Sequence, residues 1–348
     1  MYYYVIVSFT KIYLQIFQMS HKAISTIESL PNEILLGILQ ITKSHDRILI
    51  WYNLNSRINN LIHQLHSWDL SNISYSYFLI CSSLLTNHQD QLLSLKLSNA
   101  DTTGQTSLFF HIFPLDNFHN LRSLSLVRIK HVELNDLILK IPALNHLLHL
   151  FIDCHIPFYE DFLLNDIAST SLCSLTLISG ANIHYNWLTM GLQCPHLKCL
   201  KVNTRIHVKQ YAQLYSSLLS NNLKKLSIYL ERDTNDSEII TYADLSVLHI
   251  NESVEELFIN LGSYVSFHEF KFIVQKFIGL KKLSVKIMEP WNMSDIQSAL
   301  SGFEWKQLIS TYLPNLYELN FIIKTNRERL DDKLIDSFGS NFWIHHNW

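Results

Sequence analysis

One hydrophobic pattern recurs along most of the chain. A leucine, two variable residues, a second leucine, one variable residue and a third apolar residue form the unit L-x-x-L-x-L. Nine units occur, and their starts lie 29, 26, 25, 25, 26, 31, 26 and 36 residues apart. Such regular spacing indicates a tandem array rather than chance matches in a leucine-rich chain. The units start at Leu92, Leu121, Leu147, Leu172, Leu197, Leu223, Val254, Leu280 and Leu316.

The L-x-L part of each unit predicts a short β-strand. Residues two apart point to the same face of a strand, so the leucines share one face and the residue between them lies on the other. The rest of each unit leaves room for a returning helix, and helical spacing is present in residues 210–220 and 267–277. Ser294 is placed to cap a further helix. Neighbouring units must stack, because one unit cannot bury its leucines alone.

The array resembles a leucine-rich-repeat solenoid, an α/β fold with parallel strands on its concave side and helices outside. The alternative is an ordinary α/β domain with buried parallel strands. The register of the third unit is ambiguous, because Pro142-Ala143-Leu144 repeats the Pro-x-Leu that leads into Leu197 and Leu316. A solenoid would present the residues between the leucines on its concave face. Five residues on or beside that row are candidates for binding a protein substrate: Phe151, Lys201, Tyr229, Phe258 and Lys282.

Residues 27–66 carry a different pattern, typical of three short helices. Pro31 suits the first turn of a helix, where its missing N–H costs nothing. Glu33 follows in the same turn, where the helix dipole favours an acid. Two further helical patterns occupy residues 46–53 and 56–65.

This segment resembles the F-box. Leu30-Pro31-x-Glu33 opens the match and Ser56-Arg57 stands near its end, while the family's Trp after that pair is absent. The resemblance implies a three-helix module that docks on the adaptor subunit of a cullin-RING ubiquitin ligase. The alternative is a helical cap on the array. The implied adaptor-binding residues are Leu30, Pro31, Ile34, Leu35, Ile38, Leu39 and Leu61.

The two segments together resemble the F-box/leucine-rich-repeat family. The resemblance implies a substrate-recognition subunit of an SCF-type ubiquitin ligase, whose module binds the adaptor and whose repeats bind a protein substrate. The rival hypothesis is a leucine-rich-repeat interaction scaffold with no role in ubiquitin transfer. A membrane-tethered receptor is a third hypothesis, which depends on the apolar residues 1–18 alone.

Composition and motifs narrow the partners. A net charge of −3 provides no basic field for nucleic acid. Five cysteines without a C-x-x-C motif indicate reduced thiols, and therefore the cytoplasm or nucleus. No phosphate-binding loop or nucleophile elbow occurs, and the 18 histidines lack metal-ligand spacing. We therefore expect a protein that is not an enzyme and needs no cofactor or metal.

These observations divide the chain into four parts. Residues 1–24 are expected to be a disordered or spurious extension, since the apolar stretch lacks the basic start and cleavage site of a signal peptide. Lys11 and Gln15 interrupt it before it reaches bilayer-spanning length. Residues 25–70 form the F-box-like module and residues 71–325 the solenoid of about nine units. Residues 326–348 form a C-terminal cap or tail.

Overall fold

A computed structural model describes most of the chain between residues 29 and 343. The described residues are 29–42, 46–47, 51, 54–71, 73–86, 88–154, 171–179, 194–207, 222–231, 250–262, 265–287, 301–323, 336–339 and 342–343. The predicted extension, the helices predicted at 210–220 and after Ser294, and most of the helical pattern at 46–53 lie outside them.

Ten strands form one open, all-parallel sheet, and their order in the sheet follows their order in the chain. Each strand therefore pairs with its sequence neighbours, which is compatible with a solenoid-like α/β fold. The strands are β1 (Ser67–Asp69), β2 (Ser94–Ser98), β3 (Ser123–Ile129), β4 (His149–Cys154), β5 (Ser174–Ser179), β6 (Cys199–His207), β7 (Lys225–Glu231), β8 (Glu256–Leu261), β9 (Lys282–Ile287) and β10 (Glu318–Ile323).

The leucines of successive units lie side by side across the sheet. Leu124 pairs with Leu95 on one side and with Leu150 on the other, and the same register continues to β10. This pairing starts the third unit at Leu147, while Leu144 is buried in the turn before it. The predicted parallel strands and their common register are confirmed.

One strand more than the nine predicted is present, and it is the first in the chain. In β1, Trp68 pairs with Leu95 and so takes the place of the second leucine. The segment from Leu65 to Leu70 is a unit of the same length, 27 residues before Leu92, with Trp at that place. A pattern that requires leucine at this place does not include it, although Trp68 and Leu70 join the core of the sheet.

The described helices between strands pack on the leucine face. Phe109, Phe270 and Trp305 are fully buried in the same core as the strand leucines. Ser266 caps one of these helices by accepting a hydrogen bond from the Glu269 N–H at 3.1 Å. This helix confirms the pattern predicted in residues 267–277. The helices are α3 (Tyr75–Leu85), α4 (Gln105–Ile112), α5 (His131–Ile138), α6 (Phe267–Val274) and α7 (Gly302–Tyr312), after α1 (Asn32–Ile41) and α2 (Ser56–His63) of the N-terminal segment.

Helices α1 and α2 enclose a small core of their own, separate from that of the sheet. They confirm the first and third helical patterns of residues 27–66. At the other end of the sheet, Phe338 and Trp343 pack against the large core, with the Phe321 and Phe338 rings 5.4 Å apart. The residues at that end therefore cover the last unit, as a cap does.

A buried arginine connects α1 to the sheet. Arg47 donates to the Gln40 carbonyl at 3.0 Å, to the Thr42 carbonyl at 2.7 Å and to the Ser67 carbonyl at 3.1 Å. The last carbonyls of a helix have no partner within the helix, so a cation there is favourable. Burial lowers the pKa of Arg47, and the charge of nearby Asp69 opposes that effect. One side chain thus joins the end of α1 to the first strand.

Candidate protein-binding face of the sheet

The face of the sheet opposite the leucines carries side chains in rows, because the strands are in register. We define the first row as the residues just before the second leucine of each unit, and the second row as those just after it. The first row is Ser94, Ser123, His149, Ser174, Cys199, Lys225, Glu256, Lys282 and Glu318. The second row is Lys96, Ser125, Phe151, Thr176, Lys201, Ser227, Phe258, Ser284 and Asn320.

A concavity of about 350 Å³ lies over β6 to β10, and we call it the charged groove. Its polar lining comes from the two rows, and the lining also includes Leu200, Leu226, Leu257 and Leu283, whose side chains are buried. Three of the predicted substrate-binding residues line it together: Lys201, Phe258 and Lys282. The sequence alone could not show that these three share one concavity.

The other two predicted anchors lie elsewhere. Phe151 is half-buried on β4, outside the lining of the charged groove. Tyr229 is also half-buried, because its ring lies over Gly262; a Cβ added to that glycine would come within 2.8 Å of the Tyr229 hydroxyl. Neither aromatic is freely exposed, and neither lines the same concavity as Lys201.

Ion pairs cross the strands along the first row of the charged groove. Lys225 Nζ lies 2.8 Å from Glu256, and Lys282 Nζ lies 2.8 Å from Glu318. Partners on neighbouring strands raise the pKa of both lysines and lower that of Glu318, chiefly through the hydrogen bond within each pair. Two carboxylates of the groove are therefore already compensated.

A second set of pairs lies one residue earlier on the same strands. Glu255 accepts from Lys281 Nζ at 2.8 Å and from Lys224 Nζ at 2.9 Å. These hydrogen bonds, first that from Lys281 and then that from Lys224, lower the pKa of Glu255 to about 2. The adjacent acids Glu255 and Glu256 are thus both paired across strands.

Two lysines on this face have no ion pair with any residue that the structure describes. Lys201 is exposed in the second row, and Lys286 is half-exposed on β9, two residues beyond that row. The Glu256 and Glu318 carboxylates are both engaged by other lysines. The charge that remains available to a partner on the described part of the groove is therefore positive.

Phe258 forms an apolar platform between these cations. Its neighbours in the second row are Ser227 on β7 and Ser284 on β9, whose side chains are short. The ring is half-buried, like those of Phe151 and Tyr229, but it alone of the three lines the groove. The groove thus offers one aromatic ring and Lys201, which lacks an acidic partner among the described residues, and Lys286 lies beside it on β9.

The predicted adaptor-binding residues divide into two groups. Ile34 is 52% exposed, Pro31 is exposed, and Leu30 and Ile38 are half-buried. Leu35, Leu39 and Leu61 are at most 3% exposed, because they form the small core between α1 and α2. The last three can therefore affect a docking surface only through packing.

The exposed apolar surface of α1 reaches beyond the predicted residues, and hydrogen bonds hold the start of the helix. Ile41, 72% exposed, lies two turns after Ile34 on the same side of the helix and was not among the predicted residues. Arg57 holds the turn before α1 by donating to the Leu30 carbonyl at 2.5 Å and to the Asn32 side chain at 2.7 Å. An apolar strip of Pro31, Ile34 and Ile41 therefore stands on a fixed turn.

Other chemistry is scarce in the part of the chain that the structure describes. His, Cys, Asp and Glu side chains do not gather there into any group of three able to hold a metal. No described helix has both the length and the apolar character needed to cross a bilayer. All five cysteines are free thiols, and burial raises the pKa of Cys81 to about 12 and that of Cys194 to about 11.

No family model matches the chain, and no curated protein matches it. Among solved structures, the chain is similar to the crystal structure of a Bacteroides fragilis protein from a structural genomics consortium. The TM-score is 0.36 and the identity 14%, over 87% of this chain and 74% of that one. A similarity of this size does not distinguish one function from another.

Proposed function

We propose that this protein is a substrate-recognition subunit of an SCF-type cullin-RING ubiquitin ligase. In this proposal the N-terminal module is an F-box that docks on the adaptor subunit, and the sheet is a leucine-rich-repeat solenoid that holds a protein substrate. The observation that carries the proposal is the exposed apolar strip of Pro31, Ile34 and Ile41 on a module with its own core. Exposed apolar surface of this kind is typical of an interaction site.

The open face of the sheet supports the second half of the proposal. A concave surface with an aromatic ring in its lining and Lys201 outside the internal ion pairs is suited to holding another protein. In this proposal the chain binds its partners and does not itself catalyse a reaction.

The experiment is a pull-down of the purified cullin-ligase adaptor with the full chain. We expect the wild type to retain the adaptor and Ile34→Glu to lose it, because a carboxylate would be desolvated in the apolar contact. Val132→Glu is the matched control, since Val132 is 73% exposed on α5 and far along the chain from α1. Absence of adaptor binding by the wild type rejects the proposal.

A second candidate is a leucine-rich-repeat scaffold without a role in ubiquitin transfer. It is favoured by the burial of Leu35, Leu39 and Leu61, which the small core uses for its own packing. In that case α1 and α2 act as a cap on the array. This candidate predicts a captured partner whose cellular half-life does not change when the chain is removed.

A further inference from the structure

The charged groove has a specific arrangement of groups outside its internal ion pairs. Lys201 on β6 and Phe258 on β8 line it, and its Glu256 and Glu318 are engaged by Lys225 and Lys282. Lys286 lies on β9 beside the groove, two residues beyond the lining residue Ser284. From β6 to β9 the described residues thus present a cation, an aromatic ring and a second cation. The partner must therefore bring negative charge at both ends and an apolar group between them.

We infer that the charged groove binds an extended acidic segment of a protein, with the pattern acid-x-apolar-x-acid. One acid pairs with Lys201, the apolar side chain rests on Phe258, and the second acid pairs with Lys286. The inference deepens the proposed function, on which it rests for the premise that the substrate is held on this face.

The spacing of the strands fits this pattern. Neighbouring strands are about 4.8 Å apart, so β6 and β9 are separated by roughly 14 Å. Lys286 is displaced by two further residues, about 7 Å, along its strand, which places the Cα atoms of Lys201 and Lys286 roughly 16 Å apart. An extended peptide advances about 3.4 Å per residue, so its first and fifth residues are roughly 14 Å apart, and the long lysine side chains span the difference of about 2 Å. Alternate residues of such a peptide face the same way, which places its first, third and fifth side chains on the groove.

The same charges disfavour other occupants. A basic segment would have to compete with Lys225 and Lys282 for carboxylates that are already paired at 2.8 Å. A nucleic acid strand carries one phosphate per nucleotide, which is more negative charge than Lys201 and Lys286 neutralise over this length. A protein segment with two acids matches the available charge.

The test is selection of random seven-residue peptides, displayed on phage, against the immobilised full chain. We expect enrichment of acid-x-apolar-x-acid sequences on the wild type. A synthetic peptide Glu-Ser-Leu-Ser-Glu, labelled with fluorescein, should then bind in fluorescence anisotropy. Its affinity should fall about tenfold for Lys201→Ala/Lys286→Ala, because two exposed ion pairs are lost.

Two further variants make the test specific. Lys201→Glu/Lys286→Glu should shift the selection towards basic peptides. Lys96→Ala should leave selection and affinity unchanged, since Lys96 lies in the same second row on β2 but outside the charged groove, where it pairs with Asp69 at 3.1 Å. Equal thermal midpoints would show that each variant is folded.

Three outcomes would overturn the inference. They are selected peptides without acidic bias, no enrichment over the uncoated surface, and binding of a labelled single-stranded oligonucleotide in place of the peptide. The adaptor pull-down is independent of this selection. Adaptor binding without acidic selection rejects the groove assignment alone, whereas acidic selection without adaptor binding rejects the ligase role alone.

Discussion

The first and second halves of the sheet share one core and differ on their open face. In β2 to β5 the first row is Ser94, Ser123, His149 and Ser174, whereas in β7 to β10 it is Lys225, Glu256, Lys282 and Glu318. The leucines beneath both halves are buried, being at most 3% exposed in the first half and at most 9% in the second. The leucine pattern therefore determines how the units stack, while the first row is free to acquire a separate role.

The difference has a consequence for recognition. In the first half, serine side chains and His149 form a first row that is polar and carries neither lysine nor carboxylate. Alternating lysine and glutamate form a face with a defined sequence of charges, and Lys201 and Lys286 add positive charge to it. Charge arrangement discriminates between partners more than it adds affinity. The second half is therefore where we expect the partner to be selected.

The largest expected effect tests whether the core is shared. Leu124→Ala in the first half and Leu226→Ala in the second each remove a side chain that is 1% exposed. Each should lower the free energy of unfolding by about 2–5 kcal/mol, because each leaves a cavity between stacked units. Urea unfolding followed by circular dichroism measures both. A loss confined to one half would show that the halves do not share one cooperative core.

A smaller effect separates the two faces. Lys225→Glu places two like charges on adjacent strands beside Glu256, so it should lower the thermal midpoint, though less than either leucine truncation. Adding Glu256→Gln to the same chain removes the repulsion without placing a second cation beside Lys282, so it should restore part of the loss. Ser123→Glu, at the same row in the first half, is the control and should have less effect. If the double variant stays as destabilised as Lys225→Glu alone, the charge contacts along the first row do not stabilise the second half.

The smallest effect is a dependence on pH. Partners hold the pKa of Glu255 at about 2, below its ordinary value of 4.5, so its contribution to stability is present above pH 4.5 and is lost as pH falls towards 2. Glu255→Gln should therefore flatten the fall in thermal midpoint across that interval. Glu252→Gln is the control, since Glu252 is exposed and makes no ion pair with a described residue. If the thermal midpoints of both variants fall equally as the pH is lowered, Glu255 is not the group responsible.

Much of this fold follows from the leucine spacing. Each unit has apolar residues three and two positions apart that must be buried, and stacked parallel strands are one of the few arrangements that bury them all. The ion-paired rows could have been predicted too. The two residues between the leading leucines read Lys-Lys, Glu-Glu and Lys-Lys in the units starting at Leu223, Val254 and Leu280, and parallel stacking brings them together. The first strand was hidden because Trp68 stands where the search required leucine.

The candidate sites were less predictable. An apolar residue on a helix reads the same whether it packs inside its own module or faces a partner, so Leu35 and Ile34 could not be told apart. The exposure of an aromatic on a strand depends on the size of its neighbours. Phe258 and Tyr229 are both half-buried, but Phe258 stands between two serines in the charged groove, whereas Tyr229 packs over Gly262, a residue distant in the chain.

The arginine that bridges α1 and β1 has a geometric consequence. Arg47 is fixed at three carbonyls, and only three residues separate the end of α2 at His63 from the start of β1 at Ser67. Because the connection is short and is held by hydrogen bonds, it keeps the N-terminal module at a constant separation from the sheet. If the module docks on one protein and the groove holds another, the distance between the two is set by the fold itself. This fixed distance then determines which surface of the bound protein a third component can reach.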